Sequence, residues 1–160
     1  KIVDNASALA KSFIEQGLEV LTGGTDNHLM LIDVTPFNLT GRQAESIVRD
    51  ASITLNRNSL PFDSNGPWYT SGLRIGTPAL TTLGMGTDEM SEIASVIKLI
   101  LSNSSASKIT KGRNAGTLSK ARYKTDEAVL TEARSRVSDL LGSFPVYPEL
   151  DLEYLQQSFT

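Results

Sequence analysis

The chain of 160 residues has no cysteine and a single histidine. A disulfide framework and thiolate metal sites are excluded, and so is a histidine-rich metal centre. No apolar run approaches the roughly 20 residues that a membrane-spanning helix needs. No secretory leader is visible. The formal net charge is −3, and this mild acidity argues against the basic face of a general nucleic-acid binder. No glycine-rich loop carries the lysine of a phosphate cradle, and no serine sits in an activated-nucleophile motif. What remains is 39% hydrophobic, enough for one domain with a real core or two small lobes. The sequence opens at Lys1 directly into helical periodicity, as expected of a domain cut from a longer protein. On pattern alone it reads as a binding or half-site module.

The most informative stretch runs from Thr70 to Ala79 and reads as a strand leading straight into a helix. Side chains alternate along a strand, so Leu73 and Ile75 share one face and Gly72, Arg74 and Gly76 the other. Glycine weakens a strand and marks a bulge or a close approach. A guanidinium with cleared space on both sides suits a bidentate carboxylate or phosphate partner. The plain structural alternative is a strand arginine paired with an acidic neighbour.

Around this stretch the periodicity predicts an α+β two-layer sandwich. It has a small, mostly antiparallel sheet with helices on one face, leaving the other face to Arg74. An opening helix spans residues 1–16, with its stripe at Ile2, Ala6, Leu9, Phe13 and Ile14, and Gly17 ends it. Residues 17–101 form the α+β core. Within it Leu29–Val34 reads as a strand buried on nearly both faces. Thr40 and Gln43 have capping-box form and open a helix. Ile53–Asn56 is a short strand. Residues 57–70 form an aperiodic loop that contains the only tryptophan, Trp68, and a loop of this length is more often functional than idle. Thr77-Pro78 opens a short helix, and Thr87-Asp88-Glu89 opens a longer one. Residues 102–124 read as an exposed connection, 125–144 as the last strong helix with Thr125 as its cap, and 145–160 as a tail with Leu150, Leu152, Tyr154 and Leu155.

Several side chains invite chemical readings. His28 beside Asp26 is either a general base or a residue hydrogen-bonded to the loop backbone where a strand begins. Gly23-Gly24-Thr25 is either a phosphate nest or a tight turn. Asn58 offers a donor and an acceptor together, which suits the edge of a heteroaromatic ring. Trp68 either lines a pocket or plugs the loop onto the core. The basic run at Lys108, Lys111, Arg113, Lys120, Arg122 and Lys124 is either a surface for an anionic partner or a solvated segment.

Taken in order, Gly23 to His28, Leu39-Thr40-Gly41, Asn56-Arg57-Asn58 and Thr70 to Ala79 resemble the C-terminal domain of serine hydroxymethyltransferases. The resemblance is close over residues 1–101 and looser over 125–148. It implies the small C-terminal domain of a fold-type I enzyme dependent on pyridoxal phosphate. Such enzymes interconvert serine plus tetrahydrofolate with glycine plus 5,10-methylene-tetrahydrofolate. It places Arg74 at the substrate carboxylate, and Asn58, Gly66, Pro67 and Trp68 at the folate. Where many members have Ser-Pro-Phe, this chain has Gly66-Pro67-Trp68. The Schiff-base lysine and the phosphate-binding residues are expected in a larger N-terminal domain. That leaves no catalytic, cofactor-binding or metal residue in this chain. The resemblance further implies a cytoplasmic homodimer or larger oligomer, with no membrane or nucleic-acid partner and an inactive isolated fragment. The competing expectation is a free-standing ligand-binding or regulatory α+β module without catalysis.

Overall fold

A computed structural model describes residues 1–147 of the chain. Its elements are α1 (Ile2–Glu15), β1 (Glu19–Val20), β2 (Leu29–Asp33), α2 (Gly41–Asp50), β3 (Asn56–Asn58), α3 (Gly66–Tyr69), β4 (Gly72–Gly76), α4 (Pro78–Thr82), α5 (Thr87–Ser102), β5 (Ser104–Lys108), β6 (Leu118–Thr125) and α6 (Glu127–Ser143). The fold is α+β, with a four-stranded antiparallel sheet in the order β1-β2-β4-β3. Among the described residues no helix is long and apolar enough to cross a membrane.

Burial follows the sequence pattern closely at the centre. Leu73 and Ile75 of β4 join Met30 and Ile32 of β2 in the core, together with Leu9 and Phe13 of α1 and Ile97 and Ile100 of α5. Arg74 and Gly76 are exposed on the opposite face. β2 is buried on one face only, with Leu29, Leu31 and Asp33 half-buried, because one sheet face is left without a helical cover. Gly17 adopts φ +78 and ends α1, and Leu18 then donates its amide back to the Phe13 carbonyl at 2.9 Å.

The Thr40–Gln43 capping box forms as the sequence indicates. The Gln43 amide donates to Thr40 Oγ1 at 3.2 Å, and the Thr40 amide donates to Gln43 Oε1 at 2.9 Å. One helix start lies one residue from its expected position: Asp126, not Thr125, caps α6 by accepting the Ala128 and Val129 amides. α5 opens at Thr87 as the sequence indicates, with Gly86 as N-cap, whose amide donates to Glu89 Oε2 at 2.7 Å.

Residues 102–124 are largely exposed, and they carry regular structure that the sequence did not indicate. Most of them build a β5–β6 antiparallel hairpin in which Ser104 opposes Thr125 and Ala106 opposes Tyr123. The hairpin is docked through polar groups, which is why it has no apolar stripe. Gln43 Nε2 donates to the Ser119 carbonyl at 2.7 Å and to the Arg122 carbonyl at 2.8 Å. The Tyr123 hydroxyl donates to Asp50 Oδ2 at 2.7 Å. The expected strand at 53–56 lies further on, at Asn56–Asn58, while Ile53 and Leu55 pack against the core. The tail readings at Leu150, Leu152, Tyr154 and Leu155 lie outside the described residues.

Candidate functional site

The site is built on β4, the strand held on both sides. Arg74 lies opposite Leu31 of β2 and Asn56 of β3, and Asn58 lies opposite Gly72. Residues directly opposite in an antiparallel pair project to the same face. Arg74, Asn56 and Asn58 therefore share the open face. Gly72 contributes no side chain, but the expected clear space on that flank of Arg74 is taken by Leu60, whose side chain covers the buried Gly72; Gly76 on the other flank is exposed. The Arg74 side chain makes no hydrogen bond or ion pair among the described residues.

β3 stops at Asn56, so Ile75 and Gly76 have no strand neighbour on that side. A groove of about 580 Å3 opens there. Arg74, Asn56 and His28 stand at it, and Leu80, Ile97 and Val137 contribute apolar wall. Such a combination of apolar wall and a few polar groups is the usual make-up of a small-molecule site. At the far wall Arg136 is already committed. Its Nε donates to Glu92 Oε1 at 2.7 Å and its Nη2 to Glu92 Oε2 at 2.9 Å. Bonding to Arg136 lowers the Glu92 pKa despite burial, and bonding to Glu92 raises that of Arg136.

The other expected residues lie around the loop that follows β3. Asn58 is half-buried and its Nδ2 donates to the Ser59 carbonyl at 2.7 Å. Gly66, Pro67 and Trp68 form the short α3, closed by the Thr70 amide on the Gly66 carbonyl at 2.9 Å. Trp68 is 62% exposed and plugs no core. It lies between two guanidinium groups, with Arg42 5.4 Å and Arg57 5.8 Å from the ring centroid. Cations stack on the electron-rich ring faces. Arg57 opposes the buried Leu73, so it leaves β3 toward α2 and meets Glu45 there. Trp68 consequently sits on the α2 side of the sheet edge. The structure brings Asn58 and Arg74 onto one face, and Trp68 stands beside Arg57 at the β3 edge.

His28 is exposed, and its side chain makes no hydrogen bond among the described residues. The turn before β2 is closed instead by Asn27 Oδ1, which accepts the Leu29 amide at 2.9 Å, and by Thr25 Oγ1, which donates to the Leu29 carbonyl at 2.7 Å. No group of three or more histidines, aspartates or glutamates capable of holding a metal occurs among the described residues.

Sequence reading missed Asp63. It accepts the amides of Leu60, Asn65 and Ser71 and the Ser71 hydroxyl, tying the loop to the start of β4. Burial works to raise its pKa, but these bonds outweigh it and the net shift is downward. The available signal was the spacing Pro61-x-Asp63-x-Asn65, since a turn aspartate bonds backbone two residues on.

Fold and site together define an α+β domain whose central strand carries, on its exposed face, a guanidinium with no partner among the described residues. Residues 1–97 match the family model described as serine hydroxymethyltransferase. The chain is similar to the serine hydroxymethyltransferase of Chlamydia caviae, with 53% identity over 156 residues covering 97% of this chain and 30% of that protein. It is similar to that of Treponema pallidum, with 54% identity over 157 residues covering 98% of this chain and 27% of that protein. The chain belongs to the serine hydroxymethyltransferase family. It spans about 30% of the length of these curated relatives.

Proposed function

We propose that the chain is the C-terminal domain of a pyridoxal-phosphate-dependent serine hydroxymethyltransferase. The whole enzyme interconverts serine plus tetrahydrofolate with glycine plus 5,10-methylene-tetrahydrofolate. Arg74 clamps the substrate carboxylate, and Asn58 with the Gly66-Pro67-Trp68 turn forms part of the folate site. The observation that carries this reading is the exposed Arg74 guanidinium on a doubly paired strand, with no partner of its own among the described residues.

Arg74 binds and orients. Its fork donates to both carboxylate oxygens at once, and the sheet beneath limits where that carboxylate sits. Asn58 presents an amide donor and acceptor to the edge of a ring. The described residues do not fit pyridoxal phosphate itself, because no lysine lines the groove beside Arg74. The cofactor belongs to a larger domain preceding this one, and no step of its chemistry is assigned to these residues. The assembled enzyme is a cytoplasmic homodimer or larger oligomer, and the isolated domain is inactive.

The test is Arg74→Ala in the full-length enzyme. Loss of a charged partner that leaves the other charge buried costs on the order of 2–5 kcal/mol, or about 30-fold and upward in serine affinity. Because Arg74 is exposed, stability should change by less than about 0.5 kcal/mol. Arg74→Lys keeps the charge without the fork and should recover only part of the affinity. Unchanged serine affinity in the alanine variant would overturn the assignment.

A further inference from the structure

One carboxylate closes the loop between β3 and β4. Asp63 Oδ2 accepts the Ser71 amide at 2.7 Å and the Leu60 amide at 3.1 Å. Its Oδ1 accepts the Ser71 hydroxyl at 2.7 Å and the Asn65 amide at 2.8 Å. Asn65 Nδ2 adds a bond to Ser71 Oγ at 3.1 Å. Donors from the beginning, middle and end of the loop thus converge on Asp63.

The residue just before Ser71 is strained. Thr70 has φ +57 and ψ 170, a conformation poorly suited to a β-branched side chain, and its buried hydroxyl has no partner. Such a conformation persists only where its surroundings over-determine it. Here the Thr70 amide is held by Gly66, the Thr70 carbonyl accepts the Gly41 amide at 2.9 Å, and the next residue is held by Asp63. The lowered Asp63 pKa is consistent with a carboxylate kept charged by its four donors.

We propose that Asp63 is a positioning residue that closes the 59–70 loop onto the start of β4 and thereby sets Asn58 and the Gly66–Trp68 turn relative to Arg74. The proposal rests on the folate reading of that loop. Its consequence is a separation of effects. β4 is paired along its length with β2 and in part with β3, so Arg74 keeps its place when Asp63 is altered. The loop residues do not.

The experiment uses full-length enzyme carrying Asp63→Asn, which keeps the shape but loses the charge and one acceptor oxygen. Asp63→Ala is the second variant. Amide exchange in the 59–71 segment should accelerate by roughly tenfold or more, since charge-assisted bonds are lost there. Exchange in α1 and α5 should stay unchanged. The KM for tetrahydrofolate should rise about fivefold or more through lost pre-organisation, while the KM for serine stays within about twofold because Arg74 is undisturbed. Unchanged exchange in the loop overturns the proposal, and so does a parallel rise of both KM values, which marks a merely structural residue. Accelerated exchange with both KM values unchanged also removes the positioning role. Asn58→Ala run alongside distinguishes the remaining source of failure: if it too leaves the tetrahydrofolate KM unchanged, the folate reading itself falls.

Discussion

Glu45 holds Arg57 by two different groups. Its Oε1 accepts the Arg57 amide at 3.3 Å, and its Oε2 pairs with the Arg57 guanidinium at 2.9 Å. The first bond covers the outer edge of β3, a position where an open backbone group invites unwanted pairing. The second steadies an arginine that also stacks on Trp68.

Glu45→Ala should therefore destabilise the protein by about 2–3 kcal/mol, since the cost includes partly buried donors left unmet. Glu45→Gln, which retains an acceptor for the amide, should cost about half as much. Urea-denaturation midpoints of the two variants provide the check. Equal losses would show that the charge, not the edge bond, matters.

Gln43 should matter more than a polar helix residue usually does. It closes the capping box and donates to the Ser119 and Arg122 carbonyls of the hairpin. Gln43→Ala removes all three contacts and should cost about 2–4 kcal/mol, summed over one cap and two orphaned acceptors. Amide exchange in β5 and β6 should accelerate more than in α1. Uniform acceleration would mean the hairpin is held by something else.

Phe62 offers a stabilising change. The Asp63 amide donates to the Leu60 carbonyl at 3.1 Å, so Leu60-Pro61-Phe62-Asp63 is a turn with proline second and Phe62 third. Phe62 has φ +59 and is fully exposed. Glycine or asparagine suits a positive φ at that position. Phe62→Gly should leave stability unchanged or raise it by up to about 1 kcal/mol, read as a shift in thermal midpoint. A loss greater than about 1 kcal/mol would show that the ring contributes contacts.

Tyr123 sets a limit at high pH. Burial, followed by its bond to Asp50 and the charge there, pushes its pKa up to about 12. In the unfolded chain the phenol ionises near about 10. A raised folded pKa means the stabilisation is complete below the unfolded value and is lost as pH climbs through the folded one. Stability should fall between about pH 10 and 12, and Tyr123→Phe should flatten that part of the profile. Tyrosinate absorbance followed alongside denaturation tests the window.

Much of this is legible in the sequence. Leu73 and Ile75 point inward and Arg74 outward because period-two alternation on a half-covered sheet leaves no other arrangement. Thr40 and Gln43 announced their capping box because both partners lie within one turn. The hairpin was illegible for the opposite reason. Its docking partners, Gln43 and Asp50, lie more than seventy residues away in sequence and bind it through polar atoms. β3 was displaced in the reading because Asn56-Arg57-Asn58 has no strand-like side chains, and tertiary bonds from Glu45 and β4 make it a strand. Asp63 was hidden among several turn formers: the Pro61-x-Asp63-x-Asn65 spacing marks it as a turn residue, and the folded loop shows that it receives four donors.

Gly41 deserves a different kind of scrutiny in any mutational survey. A Cβ placed there would lie 2.6 Å from the Gly72 carbonyl oxygen, which is backbone and cannot swing aside. It would also collide with the Thr70 hydroxyl. Alanine, ordinarily the mildest probe of a side chain, becomes at this position a wedge driven between α2 and β4. An alanine scan that finds Gly41 indispensable will have measured the spacing of the scaffold, and its activity loss says nothing about which neighbouring groups touch substrate.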